Sequence, residues 1–117
     1  MNTNQIVDRV NEALNEHNVD ELLALMTDDV VFENTGPAPD GERYEGQADL
    51  RRFFEQLFTD SPNARFESED RFCTDDRCLD CWTYTWDPNG DPGRVRGASV
   101  YRFRDGKISE MHEYVKG

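Results

Sequence analysis

Apolar residues recur at helical intervals near the start of the chain. Ile6, Val7, Val10, Ala13 and Leu14 fall on one side of a 3.6-residue helix, which predicts a helix running to about His17 with a single buried stripe. Asn18 then offers a cap, with Glu21 three residues on and Leu22, Leu23, Leu25 and Met26 behind it, so a second, shorter helix follows. After Thr27-Asp28-Asp29 the period changes, and Val30, Val31, Phe32, Glu33 and Asn34 suit a strand with Val30, Phe32 and Asn34 on one face. The segment TGPAPDGERYEG, rich in proline and glycine, predicts a loop. Residues 47–59 return to helical spacing through Leu50, Phe53, Phe54, Leu57 and Phe58, the strongest amphipathic signal in the chain, and Ser61-Pro62 ends it.

From there the pattern alternates. Strands are predicted over residues 65–73, 77–87, 94–104 and 107–115. Asp75-Asp76 is a moderate hairpin signal, residues 87–93 (DPNGDPG) read as a long turn, and Asp105-Gly106 between two alternating runs is a strong type I′ signal. Helices gathered early and a strand meander gathered late predict an α+β domain, a curved antiparallel sheet whose concave face is covered by three N-terminal helices. Such an arrangement can leave a cavity between sheet and helices.

Composition narrows the classes. A chain of 117 residues suits one domain, 1–117, with one modest core. No segment is long and apolar enough to span a membrane, and the N-terminus lacks a basic region followed by an apolar run, so a cytoplasmic protein with no membrane partner is the expectation. A net charge of −12 would repel a phosphate backbone, which argues against nucleic acid as a partner. Only Lys107 and Lys116 are lysines, while arginine is abundant and Asp outnumbers Glu. That bias fits either a salty cytoplasm or an arginine-rich genome.

The run CLDCWTYTW, residues 78–86, has the spacing of a metal or redox pair, but alternation separates its cysteines. Cys78 shares a face with Asp80, Trp82 and Tyr84, whereas Cys81 leaves the other face with Leu79 and Thr83. Cys73 lies across the predicted hairpin from Cys78, which allows a disulfide; the cytoplasmic expectation disfavours one, and thiols are the preferred reading. No second CxxC or nearby histidine completes a zinc set, so neither metal nor other cofactor is expected.

The element order, the run DDVVFENTGPAPDG before a helix ending FFEQLF, and the closing RGASVYRFRDGKISEMHEYVKG resemble the nuclear transport factor 2-like superfamily, in its SnoaL-like branch. The resemblance covers nearly the whole chain. It implies a cone-shaped, cystatin-like α+β roll with a deep, mostly apolar pocket, often dimeric through the outer face of the sheet, and hence a homodimer here. It does not imply one activity, because polyketide cyclases, steroid isomerases, epoxide hydrolases, dehydratases and non-catalytic pocket proteins share the fold.

Glu113, in GKISEMHEY, is similar to the last-strand acidic residue that acts as acid or base in cyclases and epoxide hydrolases. A carboxyl facing an aromatic cavity is desolvated, which raises its pKa; the alternative is a solvated residue near the strand's end. His112 must then point to the opposite face, and His17 sits where it meets the last carbonyls of the first helix. Asn34, in FEN, matches the amide that positions water in epoxide hydrolase-like members, or else is a strand-end residue opening the loop. The expected pocket wall is Phe32, Phe54, Phe58, Trp82, Tyr84 and Met111, with Ser99 and Tyr101 on one face of their strand and Asp70 on the face of Phe66, Ser68 and Phe72.

One departure limits the activity. The Arg and Asp that epoxide hydrolases carry on the central strand fall here on Trp82 and Tyr84, neither of which can act as a base at neutral pH. A steroid isomerase-like site could draw on Tyr84 and Asp70 but lacks the first-helix tyrosine of that family. A cyclase-like reaction asks only for one carboxyl and a shaped apolar pocket. The preferred reading is a protein that binds a small hydrophobic ligand. The alternative is a cofactor-independent acid–base enzyme using Glu113.

Overall fold

The computed structural model describes residues 1–86 and 93–116. Its elements, in chain order, are α1 (Thr3–Glu16), α2 (Val19–Ala24), β1 (Met26–Glu33), β2 (Arg43–Glu45), α3 (Gly46–Asp60), β3 (Arg65–Cys73), β4 (Arg77–Trp86), β5 (Gly93–Arg104) and β6 (Lys107–Val115). The predicted long turn over residues 87–93 lies, apart from Gly93, outside the described residues.

Local signals explain most boundaries. Asn2 and Gln5 close a reciprocal capping box at the start of α1, and His17 ends that helix in a left-handed conformation. Asn18 caps α2 by accepting from the Glu21 amide at 3.1 Å. Asp105 and Gly106 both have positive φ, as the type I′ reading of the β5–β6 turn requires. In the β3–β4 hairpin, the Thr74 amide donates to the Arg77 carbonyl across Asp75-Asp76.

Six strands form one sheet in the order β2-β1-β6-β5-β4-β3. The fold is the expected α+β roll, a curved, unclosed sheet with three helices on its concave face. Two details differ from the pattern reading. The predicted loop holds the short β2, which pairs antiparallel with β1 through Phe32↔Tyr44. The predicted break at Thr27-Asp28-Asp29 is an irregularity within β1, which starts at Met26 and pairs parallel to β6. Polar residues there signalled a turn, but Asp28 and Asp29 are exposed on a strand held by the Met26↔Ile108 pairing.

Between helices and sheet lies the core. Ile6, Val7 and Val10 of α1 meet Val30 and Phe32 of β1, Leu50 and Phe54 of α3, and Tyr101, Ile108 and Met111 of the late strands. Asn15 ties α1 to the edge strand β3 as another strand would, accepting from the Phe66 amide at 2.8 Å and donating to its carbonyl at 3.0 Å.

A bulge between Ser68 and Asp70 breaks the alternation of β3. Beyond it Arg71 pairs with Asp80, and its guanidinium turns under the sheet, whereas Phe72 becomes 67 % exposed. The expectation that Asp70 shares the face of Phe66 and Ser68 is corrected for this reason: one extra residue moves Asp70 out of the concave face, where it is exposed. Arg71 supplies the counter-charge for Asp80, which has no exposed surface and also accepts from Ser68 at 2.5 Å and Asn11 at 3.1 Å.

The preferred reading of three thiols is also corrected. Cys73 and Cys78 are joined in a disulfide, because the two-residue turn sets them opposite each other; only Cys81 is free. No helix among the described residues is long and apolar enough to cross a membrane.

Replacing Arg71 by Met strands the buried Asp80 and is expected to lower unfolding free energy by on the order of 3 kcal/mol. Arg96→Met breaks only the exposed pair with Glu69 and should cost less than about 1 kcal/mol. Urea denaturation midpoints of the two variants check the contrast, and equal losses would count against the burial argument.

Candidate functional site

A cavity of about 390 Å³ opens between α1, α3 and the concave face of the sheet. Its dimensions fall within the range of small-molecule sites. One wall is built by β3 and β4, where Phe66 packs on Tyr84 with ring centroids 4.5 Å apart and Tyr84 packs on Trp86 at 5.6 Å. The facing wall comes from β1 and α3, where Phe32, Phe53 and Phe54 form a continuous cluster. Val10 and Leu14 of α1 close it from above, and Tyr101, Met111 and Glu113 contribute from the last two strands.

Space for the Trp82 indole depends on Gly97, directly opposite on β5. A Cβ there would stand 2.7 Å from the ring and 2.3 Å from the Tyr114 carbonyl oxygen. Seated in this way, Trp82 donates from Nε1 to Ser99 Oγ at 2.8 Å, and Ser99 hydrogen-bonds in turn to Glu113 Oε2.

Among the described lining residues Glu113 is the only carboxyl. The residue is half-buried, but its carboxyl lies among apolar walls, and burial pushes its pKa up to about 7. The hydrogen bond from Ser99 opposes that rise, and the negative charge of Asp80 adds to it. Burial likewise holds the Tyr101 phenol above its ordinary range, with the charges of Glu113 and Asp80 contributing.

Of the residues expected from the sequence, Phe32, Asn34, Phe54, Trp82, Tyr84, Tyr101, Met111 and Glu113 meet at this one cavity. Three do not line it. Phe58 lies behind Phe54 and stacks on His17 with centroids 4.5 Å apart. Ser99 is buried behind Trp82 and Glu113, and Asp70 is displaced by the bulge. Asn34 stands at the end of β1, its backbone amide donating to the Glu42 carbonyl at 2.9 Å. His112 pairs instead with Glu33 at 2.8 Å, opposite it on β1, and this bond holds the Glu33 carboxyl below its usual range.

Several lining residues were missed. Trp86 and Val95 were within reach, since alternation carries the face of Trp82 and Tyr84 to Trp86 and the face of Ser99 and Tyr101 back to Val95. Phe66 required knowing that β3 curls over the cavity, which no local pattern reports. An Arg and an Asp do pair on these strands, Asp80 with Arg71 of the neighbouring strand, but deeper under the sheet; neither lines the cavity.

This α+β roll, an unclosed curved sheet with three helices on its concave face, is the fold of the nuclear transport factor 2-like class. Within it the chain belongs to the SnoaL-like domain family, whose model matches residues 7–111. A protein of unknown function from Mesorhizobium loti, described as nuclear transport factor 2-like, is 36 % identical, with 98 % of this chain and 91 % of that one covered and a TM-score of 0.86. A cystatin-like fold protein of unknown function from Xanthomonas campestris is 20 % identical, covering 100 % and 92 % with a TM-score of 0.85. A protein of ketosteroid isomerase-like fold from Catenulispora acidiphila, solved in complex with trimethylamine, is 17 % identical, covering 97 % and 86 % with a TM-score of 0.84. Among curated proteins none matches this chain.

Glu113 makes a signed prediction for stability. Below the unfolded-state pKa, near 4.5, the carboxyl is protonated in both states and contributes nothing. Between there and about 7 the unfolded chain ionises first, so stability falls as pH rises, and above 7 the penalty is complete. Glu113→Gln should therefore leave the melting temperature unchanged near pH 4 and raise it near pH 8, by on the order of 2 kcal/mol in unfolding free energy. Thermal melts across that range check it; a destabilised variant at pH 8 would contradict the assignment.

Proposed function

We propose that the protein binds a small, largely apolar molecule in the cavity, with one polar group of that molecule against the Glu113 carboxyl. The observation that carries this reading is that, among the described residues, Glu113 is the only carboxyl on the wall of a mostly apolar and aromatic cavity. At the roughly 30 Å³ that a water occupies in the liquid, the volume suits on the order of a dozen non-hydrogen atoms. Such a ligand gains most of its affinity from burial and its orientation from Glu113 and Asn34.

A second reading is favoured by one observation, the burial of the Glu113 carboxyl among apolar walls, which raises its proton affinity. A carboxyl whose pKa is pushed up to about 7 holds and releases a proton near neutrality, as general acid–base catalysis requires. Proton abstraction next to a ketone is the simplest reaction this set could support, because it needs one base and a dry, shaped pocket. The same carboxylate, when ionised between aromatic walls, would also suit a small amine, the class that the Catenulispora acidiphila protein holds.

Titration with 2-naphthol, 1-tetralone and trimethylamine, followed by tryptophan fluorescence, tests the binding reading. Saturable quenching by at least one probe is expected. Val95→Trp, which fills the cavity, should weaken it at least tenfold. Unsaturable quenching, or equal binding by the filled variant, would remove the proposal. For the catalytic reading, deuterium uptake at the α-carbon of 1-tetralone in heavy water, followed by NMR, should exceed the buffer rate and fall at least a hundredfold in Glu113→Gln. Equal uptake with both proteins would leave binding alone.

A further inference from the structure

Register orders the cavity lining by depth. Asp80 pairs with Ser99 and Ser99 with Glu113, while Asn34 stands with Glu113 one residue past the Glu33↔His112 pair. One polar row therefore crosses β4, β5, β6 and the end of β1, and Asn34 and Glu113 are its members that line the cavity. On one side of the row Tyr101 and Met111 face each other and are buried. On the other side the strands contribute Phe66, Trp82, Tyr84, Trp86, Val95 and Val115, none of them charged. Exposure grows in that direction: Trp82 is buried, Tyr84 and Trp86 are half-buried, and Val115 is exposed. The polar row thus lies near the closed end of the cavity, and the mouth lies toward Trp86.

Rings mark the path between the two ends. Trp82 packs on Phe66 with centroids 5.5 Å apart, Phe66 on Tyr84 at 4.5 Å and Tyr84 on Trp86 at 5.6 Å, an unbroken aromatic rail. Along β4, the contour from the level of Asp80 to Trp86 is about 20 Å at roughly 3.3 Å per residue. A cavity of about 390 Å³ drawn out over that contour is roughly 20 Å² in section, the width of one extended hydrocarbon chain.

We propose that the occupant is an unbranched alkyl chain with one neutral polar end, a hydroxyl or carbonyl, lying head inward: the head meets Glu113 and Asn34, and the chain follows the rail from Trp82 to Trp86. This inference rests on the pocket reading above and adds the shape, orientation and charge of the ligand. The rail offers apolar contact along the whole chain and no charge for a second polar group to meet. A carboxylate head is disfavoured, because it would enter beside Glu113 with the buried Asp80 charge in the same row.

Titrations followed by tryptophan fluorescence test it with 1-alkanols, decanoate and borneol, a compact alcohol with as many carbons as 1-decanol. Affinity should rise about fourfold per methylene from 1-hexanol to 1-decanol and level off beyond 1-dodecanol, as the chain outgrows the rail. Trp86→Ala, read through Trp82, should weaken 1-decanol at least fivefold and leave 1-hexanol and borneol within about twofold. The chain-length series needs only the wild type and decides the matter if that variant does not fold. At pH 8, where Glu113 is ionised, decanoate should bind at least tenfold more weakly than 1-decanol, and Glu113→Gln should remove most of that difference. Borneol binding as tightly as 1-decanol, equal weakening of 1-hexanol and 1-decanol by Trp86→Ala, or a decanoate penalty that survives Glu113→Gln would each overturn the inference. Binding of borneol or 2-naphthol without 1-decanol refutes the chain and keeps the pocket, whereas no binding by any of them removes both.

Discussion

A carboxylate with no exposed surface needs compensation on every side, and Asp80 finds it in a guanidinium and a hydroxyl from β3 and an amide from α1. Arg71 reaches it only because β3 carries a bulge, and Asn11 reaches it only because α1 lies across β3 and β4. Arg71 binds Asp8 and Asn4 of the same helix as well, at 2.6 and 2.9 Å. The pair therefore fixes where α1 sits above the sheet. Polar contacts hold the helix at this end, and the space that α1 roofs elsewhere remains open as the cavity. Position, more than stability, is what a buried ion pair of this kind contributes.

The same row of residues carries that constraint to the site. Asp80 stands opposite Ser99, and Ser99 opposite Glu113, so a charge held at one strand acts on the carboxyl two strands away. Trp82 completes the arrangement from β4, with its indole seated in the space left by Gly97. The aromatic rings make the cavity apolar, while the hydrogen bonds beneath them keep the Glu113 carboxyl from being merely stranded there.

Much of the fold was legible because its local signals agree. The caps at Asn18, the amphipathic spacing of α3 and the Asp105-Gly106 turn each act within a few residues, and each appears as expected. Alternation also placed Trp82, Tyr84 and Tyr101 on the cavity side and His112 on the other. It failed where the chain breaks its own period. At the Glu69 bulge, an extra residue inverts every later assignment on β3, which hid Arg71 and misplaced Asp70. Asp80 was seen on the right face but not recognised, since nothing in CLDCWTYTW announces that its partner will arrive from another strand. The short β2 escaped because its three residues sit between proline-rich and helical segments and owe their pairing to β1.

The cavity walls are contributed by residues from Val10 to Val115, nearly the whole length of the chain. Closure of so long a loop is entropically unfavourable, and contacts of this sequence separation form late relative to local hairpins and helices. No shorter fragment contains the site: the β3–β4 hairpin has its aromatic wall, but Glu113 arrives with the last strand and the roof with the first helix. The pocket is thus a property of the assembled fold and of no single helix or hairpin within it.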